Sequence, residues 1–136
     1  MNNKEGYSNF LEDTVVTQQS DTSLSAEVSD RWSIGGTANG GYSMVLAAKA
    51  LSKVLPHKDP LSISGHYLDR VEPGPLLMEV EILKLGKSIS TANIKLIQNG
   101  SEKIRFIGSF TDFHHAKGET YMHHAAPEFP PIEECI

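Results

Sequence analysis

The sequence predicts an α+β fold in which one long buried helix packs against a curved antiparallel sheet. Three observations predict it: one apolar helical stretch over residues 42 to 55, four alternating segments after it, and short joints between those segments. Alternation of period two indicates strands with one solvated face and one core face. Short joints place consecutive strands antiparallel. Helix and sheet then bury their apolar faces against each other.

The composition is that of one ordinary globular domain. The chain has 136 residues, of which 39% are hydrophobic and 21% charged, and this length fits a single core. Its net charge of −5 leaves no basic excess for a phosphate backbone, so no nucleic-acid partner is expected. No apolar run approaches the roughly 18 residues of a membrane helix, so no membrane partner is expected. One cysteine and no visible signal peptide favour a cytoplasmic location.

The first elements are expected to be short. Residues 1–12 are mostly polar and are interpreted as an N-terminal extension that forms a short surface turn. Two strands are predicted at residues 13–18 and 23–28, because good turn residues separate two stretches with a partly apolar face.

The helix follows a glycine-rich turn. Residues 33–41 read SIGGTANGG, and the stretch from 42 to 55 is apolar around most of its circumference. A helix with that pattern is buried, and Pro56 ends it.

Four strands complete the predicted domain. They are expected at residues 61–71, 75–85, 88–98 and 104–113, with turn residues at each joint. The domain is therefore assigned to residues 13–114. Residues 115–136 lose periodicity and are interpreted as a tail or the start of a linker.

A series of short motifs carries a family resemblance. In chain order they are Trp32, Asn39-Gly40-Gly41-Tyr42, His66-Tyr67-Leu68, Glu72-Pro73-Gly74-Pro75, Gly86-Lys87-Ser88 and Gln98-Asn99-Gly100. The series resembles the N-terminal half of the double-hotdog acyl-CoA thioesterases, also called type II or thioesterase-like. The resemblance implies a hotdog fold, an acyl-CoA substrate hydrolysed to free acid and CoA in fatty acid metabolism, and no cofactor.

The resemblance also implies a partner. In that family a proline-rich linker joins two hotdogs in one polypeptide, and Pro127, Pro130 and Pro131 look like the start of such a linker. The chain thus resembles one half of a double hotdog. It is expected to form a homodimer or to pair with a second hotdog domain, which would cover its exposed sheet edge.

The helix start is the predicted site for the thioester carbonyl. Free N–H groups and the positive end of the dipole at a helix N-terminus stabilise an oxyanion. Gly40 is predicted to let the substrate approach, and the Gly41 N–H to hold the carbonyl oxygen. Asn39 occupies the capping position and is a catalytic candidate. The plain alternative is that these residues only turn the chain into the helix.

The group that activates water is less well indicated. The resemblance places the working Asp, Thr or Ser, and Gln mainly in a C-terminal half; the matching Asp and Gln positions here look like Ser62 and Ser109. Ala48 stands where single hotdogs often have an acid. His66 is a candidate general base, with packing at the sheet surface as its alternative.

Two further residues are candidates for substrate binding. Tyr42 is predicted to line an acyl channel beside the helix, with ordinary core packing as the alternative. Gln98 is predicted to direct its amide toward the core side or the strand end, unless it only enters the following turn. The paired histidines at 114–115 and 123–124 lack acidic or cysteine partners at ligand spacing, so no metal is expected.

Three functions are compatible with the sequence. The first is an acyl-CoA thioesterase acting as an assembled double hotdog. The second is a non-catalytic acyl-CoA-binding or structural half whose partner carries the catalytic residues. A hotdog hydratase ranks last, because residues 39–55 contain neither the histidine nor the carboxylate which that chemistry needs.

Overall fold

A computed structural model describes residues 4–119 and 121–135. The chain forms a six-stranded antiparallel sheet and a small two-stranded hairpin around one central helix. In chain order the elements are α1 Lys4–Asp13, β1 Val16–Gln18, β2 Ser23–Val28, β3 Ser33–Ile34, β4 Thr37–Ala38, α2 Gly40–Val54, β5 Asp59–Tyr67, β6 Gly74–Leu85, β7 Ser90–Gln98 and β8 Ser101–Thr111. Short 3-10 turns lie at Asp30–Trp32, Phe113–His115 and Ile132–Glu134.

The large sheet has the strand order β1-β2-β6-β7-β8-β5. Every neighbouring pair in it is antiparallel. The connection through α2 carries the chain across the sheet, so that β5 lies at the edge beside β8. The hairpin of β3 and β4 comes just before α2. The expected α+β architecture is confirmed.

The core lies between α2 and one face of the sheet. Every second residue of β7 from Ser90 to Gln98 is buried, as period-two alternation predicts. The helix contributes the small residues Ala47 and Ala50, which allow close approach of the sheet. The largest buried sheet side chains include Phe106 and Phe110. None of the helices within the described residues is long and apolar enough to cross a membrane.

The expectation for the N-terminus was wrong. Residues 4–13 form α1 instead of a surface turn, and β1 begins at Val16 instead of residue 13. The Phe10 ring packs edge-on against Trp32, with centroids 4.9 Å apart. Thr14 Oγ1 donates to the Phe10 carbonyl at 2.7 Å. The helix is therefore held by tertiary contacts, which its weak amphipathic pattern does not reveal.

The ends of the later elements differ by a few residues from the predicted ones. Strand β5 ends at Tyr67 instead of residue 71, and β8 starts at Ser101 instead of residue 104. A register irregularity between Pro60 and Ser62 accompanies the start of β5. Beyond the Phe113–His115 turn, residues 116–119 and 121–135 are exposed.

Candidate functional site

The N-terminal turn of α2 is built on the β3–β4 hairpin. Gly35 and Gly36 join these strands with φ of 59° and 76°, a left-handed conformation that favours glycine. The Asn39 N–H then donates to the Trp32 carbonyl, and the Ala38 N–H donates to the Val71 carbonyl, both at 2.8 Å. The first turn of α2 is thus anchored from two sides.

Asn39 caps the helix, as its position predicts. Its Oδ1 accepts from the N–H of Gly41 at 2.8 Å and from that of Tyr42 at 3.4 Å. Gly40 is the first helical residue, and its N–H has no acceptor inside the helix. The Gly41 N–H, which is predicted to bind the substrate carbonyl, therefore already donates to the side-chain amide oxygen of Asn39.

Tyr67 covers this turn from the end of β5. Its hydroxyl donates to the Gly40 carbonyl at 2.8 Å. A Cβ added at Gly40 would lie 3.2 Å from the Tyr67 ring and hydroxyl, so the glycine makes room for this side chain. Burial raises the pKa of the Tyr67 hydroxyl, although the residue is 51% exposed. Tyr67 belongs to the His66-Tyr67-Leu68 motif, but the sequence alone predicts no role for it at this turn.

The structure does not bring His66 to this turn. Neighbouring residues on a strand point to opposite faces, and Tyr67 faces α2. The side chain of His66 is exposed on the outer face, where its register partner on β8 is Arg105. Within one chain, the sheet itself therefore lies between His66 and the two residues at the start of α2, Asn39 and Gly41.

Ser62 and Ser109 also lie on the outer face of the sheet. They are register partners between β5 and β8. The Ser109 hydroxyl is 3.0 Å from that of Thr91 on β7. These hydroxyls thus form a row across three strands, on the side of the sheet away from α2.

Tyr42 is part of the core. It is 3% exposed, and its hydroxyl donates to the Asp13 carbonyl at 2.6 Å and accepts from the Ser29 N–H at 3.1 Å. The Asp13 carboxylate in turn accepts from Trp32 Nε1 at 3.0 Å. Burial raises the pKa of the Tyr42 hydroxyl. These contacts join α1 to α2, so the structural alternative for Tyr42 describes what is observed.

Gln98 holds the connection between β5 and β6. Its Nε2 donates to the carbonyls of Glu72 at 2.8 Å and Pro75 at 3.2 Å, and its Oε1 accepts from the Glu72 N–H at 3.0 Å. The residue is 6% exposed. Its amide is therefore committed to the backbone of the segment from 72 to 75.

Comparison with known proteins places the chain in a family. A family model described as the acyl-CoA thioesterase N-terminal domain matches residues 28–111. The chain is 33% identical over 94 residues to the thioesterase-like protein TwmA of Talaromyces wortmannii, an alignment that covers 67% of this chain and 27% of that protein.

Solved structures share the fold. A candidate thioesterase II from Thermobifida fusca has a TM-score of 0.81 at 24% identity, covering 93% of this chain and 47% of that one. A hot dog fold protein of unknown function from Alicyclobacillus acidocaldarius has a TM-score of 0.79 at 15% identity, covering 92% and 47%. Smu.793 from Streptococcus mutans, solved with acetyl CoA, has a TM-score of 0.63 at 19% identity, covering 71% and 87%.

The chain spans about half the length of the first two structures and about a quarter of the fungal relative. The likenesses confirm the hotdog fold. With the family model matching more than half of its residues, this chain belongs to the acyl-CoA thioesterase N-terminal domain family.

Proposed function

We propose that this chain hydrolyses an acyl-CoA thioester to the free acid and CoA, in a site that a second hotdog completes. The observation that carries the proposal is the N-terminal turn of α2, where the Gly41 N–H already holds an oxygen atom at 2.8 Å. Family membership supports the reaction class, and the acetyl CoA in a structure of the same fold supports the substrate class.

The Asn39 amide oxygen stands where the substrate oxygen would bind. It is a neutral acceptor, whereas the tetrahedral intermediate carries a full negative charge on its oxygen. A charged acceptor makes a stronger hydrogen bond and also gains from the helix dipole. The thioester oxygen is therefore expected to displace the Asn39 side chain from Gly41 as charge develops. Released in this way, the Asn39 amide can orient the attacking water.

The reaction itself needs a base. The base takes one proton from water as the water oxygen attacks the thioester carbon; the carbon–sulfur bond then breaks, and the base returns that proton to the CoA thiolate. Helix α2 carries no aspartate, glutamate or histidine, and His66 faces the other side of the sheet. We therefore assign the base to the partner hotdog.

The edge of β5 is the surface proposed for that partner. This nine-residue strand pairs with β8 on one side, and no other strand of the described residues covers its second side. Unpaired backbone groups on an edge favour addition of another strand. A second copy of the chain or a second hotdog of a longer protein would both satisfy this edge. The exposed free thiol of Cys135 suits the cytoplasm as the location.

A second candidate function is a non-catalytic half that binds acyl-CoA or supports the fold. It is favoured by the absence of an acid on α2 and by the structural roles of Tyr42 and Gln98. It predicts that acyl-CoA raises the melting temperature of the chain without turnover, because a ligand that binds only the folded state stabilises it.

The test is release of free thiol from short-, medium- and long-chain acyl-CoAs, with the oligomeric state measured by light scattering in the same preparation. Turnover by a dimer supports the thioesterase. A thermal shift without turnover supports the second candidate. A chain that shows neither turnover nor a thermal shift contradicts both candidates.

A substitution locates the site. Gly41→Val is expected to abolish turnover, because the side chain would occupy the space where the thioester approaches. Gly118→Val is the matched control, since Gly118 lies in the exposed tail with no atom within 4 Å of an added Cβ. Full activity of a folded Gly41→Val variant would exclude the Gly41 N–H as the oxyanion donor.

A further inference from the structure

Tyr67 is held in one orientation against the first turn of α2. Its hydroxyl donates to the Gly40 carbonyl at 2.8 Å. Its ring packs at right angles to Phe106, with centroids 5.7 Å apart. Such edge-to-face packing restricts the ring. A half-exposed tyrosine is thus fixed between a core aromatic ring and one backbone carbonyl.

That carbonyl belongs to the same peptide group as the Gly41 N–H. A peptide unit is planar and joins the carbonyl of one residue to the N–H of the next. The hydroxyl of Tyr67 donates at one end of this unit, and the N–H donates to Asn39 Oδ1 at the other end, at 2.8 Å. Hydrogen bonds in a chain polarise one another, so a donor on the carbonyl makes the N–H a stronger donor.

We propose that Tyr67 is a positioning residue for thioester hydrolysis, because its hydroxyl orients the Gly40–Gly41 peptide and strengthens the N–H that receives the oxyanion. This role rests on the proposed function. The tyrosine touches no reacting atom and acts through the peptide group. The Gly40 carbonyl can accept from Tyr67 and still make its hydrogen bond within the helix, because a carbonyl oxygen has two lone pairs.

The surroundings of the hydroxyl fit this role. The Tyr67 hydroxyl is a protonated donor at neutral pH because a phenol ordinarily titrates near pH 10, and burial raises its pKa further. The same role explains why residue 40 is a glycine. A Cβ there would lie 3.2 Å from the Tyr67 ring and hydroxyl and would push the hydroxyl away from the Gly40 carbonyl. Gly40 therefore keeps the distance between Tyr67 and the carbonyl short, besides any contact it makes with substrate.

The first test is Tyr67→Phe, which removes only the hydroxyl. The expected kcat is about three- to tenfold lower, the effect of losing one hydrogen bond, with KM and melting temperature unchanged. Tyr121→Phe is the matched control, because Tyr121 is 80% exposed in the tail, where its hydroxyl lies 3.1 Å from His123 Nδ1. Its kinetic constants are expected to equal those of the unmodified chain.

Two further readouts separate positioning from packing. The amide nitrogen of Gly41, observed by NMR in a glycine-labelled chain, is expected to shift upfield in Tyr67→Phe, because its peptide carbonyl loses a donor. Gly40→Ala is expected to lower kcat by a larger factor in the unmodified chain than in Tyr67→Phe, because its effect on the Tyr67 hydrogen bond is absent from that variant.

The outcomes are distinguishable. An active chain whose Tyr67→Phe variant keeps its kcat overturns the positioning role and leaves the thioesterase intact. A fall in kcat that only follows a fall in melting temperature, with the Gly41 resonance unmoved, also overturns it. A folded chain without turnover on any acyl-CoA overturns the proposed function, and the positioning role with it.

Discussion

Gln98 offers the sharpest decision between a structural role and a role in substrate binding. Replacing it with glutamate keeps the shape of the side chain and the acceptor for the Glu72 N–H. The substitution removes both N–H donors of the amide, which in the unmodified chain donate to the carbonyls of Glu72 at 2.8 Å and Pro75 at 3.2 Å. An ionised carboxylate at a position 6% exposed would face these two carbonyls directly.

The size of the effect follows from the two lost bonds. A buried acceptor left unsatisfied costs roughly 1–3 kcal/mol, so the loss of donors to two carbonyls in Gln98→Glu is expected to lower the free energy of unfolding by about 2 to 6 kcal/mol at neutral pH. The protonated acid regains one O–H donor, so the loss at low pH is expected to be only about 1 kcal/mol.

The pH dependence has a definite sign. Burial beside two carbonyls favours the neutral acid, so the pKa of the introduced carboxyl is raised in the folded state above its unfolded value of about 4.3. Between these two pKa values the folded state binds more protons. The free energy of unfolding therefore falls as pH rises, by at most about 1.4 kcal/mol per pH unit, and levels off above the folded pKa.

The assay is urea unfolding, followed by the fluorescence of Trp32, the chain's one tryptophan, from about pH 4 to pH 8. Gln18→Glu is the matched control, because Gln18 is exposed on β1. The difference in unfolding free energy between the variants is expected to grow with pH. A constant difference across this range would refute the structural role of the Gln98 hydrogen bonds to Glu72 and Pro75. Loss of turnover with unchanged stability would assign Gln98 to substrate binding.

The remaining predictions concern the core and one surface ion pair. Gly65→Ala is expected to destabilise the chain by about 3 kcal/mol or more, because the new Cβ would overlap the Phe106 ring; an unchanged melting temperature would contradict this. The hydrogen bond from Lys103 lowers the pKa of Asp69, so an NMR titration of Lys103→Met is expected to show the Asp69 midpoint moving up toward its ordinary value. Equal midpoints in the two proteins would contradict that cause.

The sequence alone predicts α2 and the long strands, because the spacing of their apolar residues has the period of a helix or of a strand. It was insufficient for α1, whose position depends on contacts between Phe10, Trp32 and Asp13 across about 20 positions of chain. Local pattern cannot report such contacts.

The candidate site shows the same division. Asn39 and the two glycines were identified from local turn and capping chemistry, and the structure confirms Asn39 as the cap. Strand alternation predicts that His66 and Tyr67 face opposite sides, but the weakly apolar β5 does not indicate which side is the core. The hydrogen bonds that occupy Tyr42 and Gln98 join segments distant in sequence, so only the folded chain reveals them.

Strand β5 links the proposed assembly of the protein to the proposed reaction. The same strand carries Tyr67 against the turn of α2 and presents the uncovered edge of the sheet. A hotdog paired along that edge would lie beside Tyr67 and the Gly41 N–H, which is where a base is missing. Under the proposed mechanism this chain supplies the oxyanion donor and, having no acid on α2, depends on its partner for the base, so the reaction requires both hotdogs. Dissociation of that partner is therefore expected to abolish turnover before it unfolds either half.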